Sequence, residues 1–249
     1  MSLKVGIVSA MQREVAPMLK DWQQGRLEYQ HRNYTVWRTG GAVYIQSGIG
    51  REPALFATRA LVGNQHPDIL VSAGFAGALT RLLTVGDSIA PGTVIDAKTG
   101  KKFNLHSGTG VLVSASVIAD EAEKTNLASR FDAEAVDMEA AAVAQVAEES
   151  GIPFCTVKTI SDEVGFPMPP LNAYVNEEGQ LAMPQFAAHI AVRPGYWPSL
   201  MQLARNSRKA SQELSSALKQ MLVRLDGAQA GANLQLALRD VGVSARGVN

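Results

Sequence analysis

Residues 135–163 read AVDMEAAAVAQVAEESGIPFCTVKTISDE. A short apolar run ends on Asp137 and Glu139, an alanine-rich helical stretch follows, and the apolar run PFCTVKTIS ends on Asp162 and Glu163. Continuous apolar runs of this kind are the signature of strands buried on both faces, and two of them joined by a helix make a crossover unit in a parallel sheet. Charge at the end of a buried strand is costly unless it is paired or used. In doubly wound sheets the carboxyl edge is where ligands bind, which gives these acids a purpose.

The pattern repeats outward from this unit. KVGIVSA (4–10) leads into the short helical stretch MQREVAPMLK, and VYIQSGIG (43–50) closes on Gly48 and Gly50 before the helix REPALFATRALVG. DILVSAGFAGAL (68–79) leaves through glycines, DSIAPGTVIDA (87–97) reads as one alternating strand, and GVLVSAS (110–116) completes the set. Strands alternating with helices predict an α/β protein, a single-domain α/β/α sandwich around a mixed, mostly parallel central sheet. Glu14, Gly74 to Gly77, Asp137, Glu139, Asp162 and Glu163 then fall at one edge, where a pocket can gather them.

A chain of 249 residues with 46% hydrophobic and 18% charged residues can bury one large core. Residues 1–225 are read as that domain, including an amphipathic helix near 196–225, and residues 226–249, rich in Gly and Ala, as a tail. In the helix Leu200, Leu203, Ala204, Leu214, Leu218, Met221 and Leu225 recur at helical spacing beside Arg205, Arg208, Lys209 and Lys219. Such a helix covers a core or a subunit contact; the alternative is a basic surface that approaches a membrane. The 23 basic and 23 acidic residues cancel, so no general attraction for nucleic acid or anionic lipid is expected. The start lacks a signal peptide's features and no apolar run approaches the roughly 20 residues of a membrane span, so a cytoplasmic protein is expected. One cysteine, Cys155, excludes an internal disulfide, and His31, His66, His106 and His189 stand singly, so neither a metal nor a cofactor is expected. No GxGxxG follows the first strand, and there is no Walker lysine loop or GxSxG elbow.

Taken in order, VGIVSAMQREV, SGIGREPALFATRAL, PDILVSAGFAGALTRLLTVGDSIAP, AVDMEAAAVA and TISDE resemble the purine nucleoside phosphorylase superfamily across residues 4–165. Within it the start is similar to the methylthioadenosine/S-adenosylhomocysteine nucleosidases. The segment AAHIAVRPGYWPSLMQLARNSRKASQEL resembles the tail of hopanoid-associated nucleoside phosphorylase-like proteins. The resemblance implies cleavage of the N-glycosidic bond of a purine nucleoside, adenine-type, by hydrolysis with release of free base. Phosphorolysis of a nucleoside, hopanoid-linked in one version, and a catalytically weak nucleoside-binding protein are the alternatives. A homodimer or larger homo-oligomer is implied as well.

The site residues follow from the same resemblance. Asp162 is the expected acid for N7 of the leaving purine, placed by Ser161; the other reading is that both cap the next helix. Glu139 would accept both ribose hydroxyls while Met138 packs on the sugar, or it would simply complement a helix dipole. Glu14 occupies the place of the nucleosidases' water-activating glutamate, within Ala10-Met11-Gln12-Arg13-Glu14, where hexameric phosphorylases carry a Gly-Asp-Pro stretch and an arginine. Gly74-Phe75 departs from the family's Gly-Ser pattern, since a phenyl ring cannot supply the hydroxyl that helps hold water or phosphate. Gly50 and Arg51 at a helix start could hold an anion, or Arg51 could be a surface residue. Val117 and Ile118 fall where the family binds the base, and Phe166 could stack on it or plug the core. The proline-rich GFPMPPLN (165–172) reads as a loop or lid.

Overall fold

The computed structural model of the chain describes residues 3–226, apart from 106, 177, 178 and 181. The expected tail beyond Asp226 and His106 therefore lie outside the described residues. The strands are β1 (Val5–Ser9), β2 (Gln23–Tyr29), β3 (Arg32–Arg38), β4 (Ala42–Gln46), β5 (Ile69–Ala78), β6 (Ser88–Ile89), β7 (Thr93–Asp96), β8 (Lys102–Asn104), β9 (Val111–Ser114), β10 (Ala135–Asp137) and β11 (Phe154–Asp162). The helices are α1 (Gln12–Val15), α2 (Arg51–Gln65), α3 (Glu121–Phe131), α4 (Ala140–Ser150), α5 (Met183–Ala191) and α6 (Trp197–Asp226).

All strands join one mixed sheet in the order β2-β3-β4-β1-β5-β10-β9-β7-β8, with β11 on β5 and β6 on β11. β5 is the hub. Its first half pairs in parallel with β1, from Val5↔Ile69 to Val8↔Ser72, and β11 runs parallel to it from Phe154↔Leu70 to Asp162↔Gly77. β10 meets its far end antiparallel, at Val136↔Gly77 and Ala135↔Ala78.

Alternation of side chains along these strands builds the two cores. Ile7, Val71, Cys155 and Val157 face Leu214, Leu218, Met221 and Leu225 of α6. Val8, Leu70 and Ile160 face Ala57, Ala60 and Leu61 of α2 and the alanines of α4. Helices on both faces complete the expected α/β/α arrangement. Leu127 of α3 covers the flank made by Ile95, Val113 and Val136.

The buried stripe of α6 runs from Ala210 to Leu225, and Ser211 Oγ ties it to α1 by donating to Arg13 O at 2.9 Å. Leu200, Leu203 and Ala204, counted with that stripe from the sequence, lie outside it, the two leucines half-buried and Ala204 exposed. No described helix is long and apolar enough to cross a membrane. DSIAPGTVIDA is two strands rather than one. Ala90-Pro91-Gly92 breaks it where proline has no N–H for a ladder, so β6 pairs with β11 while β7 pairs with β9.

Leu218 is fully buried between α6 and the sheet, whereas Val223 of the same helix is 75% exposed. Leu218→Ala is expected to lower the unfolding free energy by about 2–5 kcal/mol in denaturant titration. Val223→Ala should change it by less than about 0.5 kcal/mol.

Candidate active site

β1 ends at Ser9 and the chain turns at once into α1, whose geometry folds Glu14 back over the strand end. Met11 N–H donates to Glu14 Oε2 at 3.1 Å, and Phe75 N–H of β5 donates to Oε1 at 3.4 Å. Gly74 makes this approach possible. Its φ is +150°, and a Cβ there would lie 3.3 Å from Glu14 Oε2 and 3.5 Å from Lys158 Nζ. Lys158 stands opposite Gly74 in the β11 register and pairs with Asp137 Oδ2 at 2.7 Å, both side chains being buried. Asp137 also accepts from Ser114 Oγ (2.5 Å) and from Ala140 N–H (2.9 Å) at the start of α4. Beside it Glu139 Oε1 accepts from Gly50 N–H at 2.7 Å.

Three buried carboxylates therefore share one ammonium. Burial pushes Glu14 above its ordinary value, against the pull of the Met11 N–H and Lys158. Burial and then the charge of Asp137 push Glu139 up to about 8, while Lys158 and the Gly50 N–H work against them. Burial pulls Lys158 down, but Asp137, Glu139 and Glu14 outweigh it and hold the ammonium above its usual range. Such a cluster favours a cation developing next to it.

A second group lies where the β11 register shifts between Ile160 and Asp162. The irregularity turns Ser161 and Asp162 toward one another, so that Ser161 Oγ donates to Asp162 Oδ1 at 2.7 Å. Lys124 of α3, 2% exposed, donates to Asp162 Oδ2 at 2.5 Å and to Glu163 O at 2.7 Å. Here Gly77 leaves the room, because a Cβ would sit 2.9 Å from Asp162 Oδ2 and 3.1 Å from Lys124 Cε.

Glu14, Asp137, Glu139, Ser161, Asp162 and Lys124 line one cavity of about 160 Å³. Its mouth is apolar, with Val117, Ile118, Met168, Leu171 and Leu203. Asn172 fastens this mouth by accepting from Ile118 N–H at 2.7 Å and donating to Ile118 O at 2.9 Å.

The family model described as "Phosphorylase superfamily" matches residues 4–104 and 97–193. The chain belongs to the phosphorylase superfamily. Among curated relatives it is 27% identical over 200 residues to the 5'-methylthioadenosine/S-adenosylhomocysteine nucleosidase of an Exiguobacterium species, covering 64% of this chain and 85% of the relative. It is 29% identical over 196 residues to the Staphylococcus aureus protein of the same name, covering 64% and 86%. The apo structure of Arabidopsis thaliana 5'-methylthioadenosine nucleosidase is similar in fold, with a TM-score of 0.71, 17% identity and coverage of 92% and 98%. Helicobacter pylori futalosine hydrolase shares the fold at a TM-score of 0.62, with 19% identity and coverage of 88% and 99%.

Within this superfamily member, Glu14, Met138, Glu139, Ser161, Asp162, Phe75, Val117 and Ile118 all face the one cavity. Gly74 lies beneath Glu14, and Gly50 lends its N–H to Glu139. Arg51 turns away from the cavity. Its guanidinium is 3.4 Å from Asp96, 2.6 Å from Gln145 and 3.1 Å from Glu52, and it is not among the lining residues. Phe166 is buried and also absent from the lining; Met168 and Leu171 of the same proline-rich segment reach the mouth instead. Asp137 is half of a buried ion pair. Sequence reasoning overlooked Lys158 and Lys124. A lysine inside the apolar run FCTVKTI is itself a signal, since buried lysines need a partner. Lys124 lies in a charged helix and carries no comparable mark.

The shift on Glu139 has a measurable sign. Its folded-state value lies above the unfolded one, so between about 4.5 and about 8 the native state holds more protons, and stability falls as pH rises through that window. Glu139→Gln, which keeps an acceptor for Gly50 N–H, should flatten this dependence. Thermal melts across pH 5–9 are expected to show the variant gaining on the wild type by a few degrees at the alkaline end.

Proposed function

We propose that the protein hydrolyses the N-glycosidic bond of an adenine-type nucleoside and releases the free base. The observation that carries the reading is that Glu14, Glu139 and Asp162, from three distant stretches, line one cavity. Breaking this bond leaves positive charge on the sugar and sends an electron pair into the base, so the site needs anions near the ribose and a proton near N7. Glu139 has one oxygen engaged by Gly50 N–H and its other oxygen available to a ribose hydroxyl. Glu14, held by two backbone N–H groups beside Lys158, suits the acceptance of a proton from an attacking water. Asp162, oriented by Ser161, faces the base end.

Water is the better nucleophile for this site than phosphate. Arg51, the guanidinium that would have drawn a dianion in, is engaged with Asp96 and Gln145. The hydroxyl missing at Phe75 does not leave Glu14 without a partner on that side, because the Phe75 N–H serves it. The names of the curated relatives, 5'-methylthioadenosine/S-adenosylhomocysteine nucleosidases, support the adenine-type nucleoside. The proposal extends to a homodimer or larger assembly acting in the cytoplasm, as the family resemblance implies.

Incubation with adenosine, methylthioadenosine and inosine, with and without phosphate, tests the reaction by identifying base and sugar products. Free base with a free sugar in phosphate-free buffer is expected; a sugar 1-phosphate formed only with phosphate would overturn hydrolysis. Asp162→Asn and Glu14→Gln should each lower kcat by about 100-fold or more with the far-UV spectrum unchanged. Full activity in either variant removes that residue from its role.

A further inference from the structure

The proton needed by the leaving base has no evident home on Asp162. Its Oδ1 accepts from Ser161 Oγ and its Oδ2 accepts from the Lys124 ammonium, so both oxygens are engaged as acceptors. Lys124 holds the proton instead, at 2.5 Å, with the side chain 2% exposed and lining the same cavity. In a site shielded from water, an ammonium–carboxylate pair loses much of its advantage over the neutral amine–acid arrangement. A proton can then cross that hydrogen bond when a base atom arrives on the cavity side of Asp162.

We infer that Lys124 is the proton reservoir for Asp162: the proton that ends on N7 of the leaving purine starts on Lys124 Nζ. The inference rests on the hydrolytic reading above. The bond from the sugar's anomeric carbon to N9 breaks and its electron pair enters the base. N7 takes a proton from Asp162, and Asp162 takes one from Lys124. The attacking water gives its proton to Glu14, which passes it to solvent, and the Lys124 amine regains one from solvent once the base has left. Lys124 thus acts through Asp162 as a positioning residue.

The neighbouring ionisable groups are engaged in other ways. Glu163 Oε1 accepts from Val85 N–H at 3.3 Å, Lys158 pairs with Asp137, and Asp120 accepts from Glu123 N–H at the start of α3. Glu121 and Glu123 also lie in the first turn of α3, Glu14 and Glu139 are held by backbone N–H groups, and Arg13 of α1 lines the cavity from the far side.

Two variants separate a proton reservoir from a structural anchor. Lys124→Arg keeps the charge and the donors but does not release a proton at working pH. Lys124→Met keeps the length of the side chain and removes the proton, so that Asp162 must carry it alone. With the nucleoside that the wild type cleaves, Lys124→Arg is expected to lose about 100-fold in kcat while KM stays within about threefold. Lys124→Met should move the alkaline limb of the kcat profile toward lower pH by about one unit or more, with activity recovering in acid. Thermal melts of both variants report folding, and if the larger arginine prevents it, the limb of Lys124→Met decides. Wild-type kcat in Lys124→Arg, or an unshifted profile in Lys124→Met, overturns the inference while leaving the functional reading intact. No base release by the wild type overturns the functional reading, and this inference with it.

Discussion

Between Gly74 and Gly77 the central strand β5 presents bare backbone to four ionisable side chains, Glu14 and Lys158 at the first glycine and Asp162 and Lys124 at the second. Each of these groups is buried, and burial of a charge is affordable only where an opposite charge and donors lie within hydrogen-bond reach. The two glycines supply that reach. A Cβ at Gly77 would crowd the Lys124–Asp162 pair at 2.9 Å, and one at Gly74, where φ is +150°, would press on Glu14 at 3.3 Å.

Sheet topology brings the partners to that backbone from both directions. β1 and β11 run parallel to β5 and deliver Glu14 and Asp162 at or just past their carboxyl ends and Lys158 from the middle of β11. β10 runs antiparallel and delivers Asp137 and Glu139 back along β5 from the opposite side. The result is an asymmetric pocket. One side gathers three carboxyl groups around one ammonium, and in the proposed reaction it would face the sugar; the other holds the Lys124–Asp162 pair, which would face the base. Under the proposed hydrolysis this division matches the division of labour in breaking a glycosidic bond.

Of the strand-end acids expected at one carboxyl edge, Glu14, Asp137, Glu139 and Asp162 line the cavity, whereas Glu163 is exposed and turns to Val85 N–H, and the strands do not all run the same way. β10 reaches the pocket against the sense of β5, because its pairing partner on the other side, β9, is parallel to it and fixes its orientation. The hairpin of β2 and β3 left no turn signal either. Gln30 and His31 take positive φ of 48° and 61° where glycine or asparagine usually marks such a turn. The irregularity in β11 that turns Ser161 and Asp162 toward one another has no marker in TISDE.

By itself the sequence determined the layered α/β architecture, because uninterrupted apolar runs joined by helical stretches have no other way to bury both faces. It also determined which acids end the strands, and an ordered set of motifs made Glu14, Glu139 and Asp162 legible together. Only the tertiary structure decided that Arg51 turns toward Asp96, that Phe166 leaves the mouth to Met168 and Leu171, and that Lys158 and Lys124 pair with Asp137 and Asp162. Pairing of charges depends on which atoms come within a few ångströms across strands and helices far apart in the chain, and spacing along the sequence carries no record of that distance.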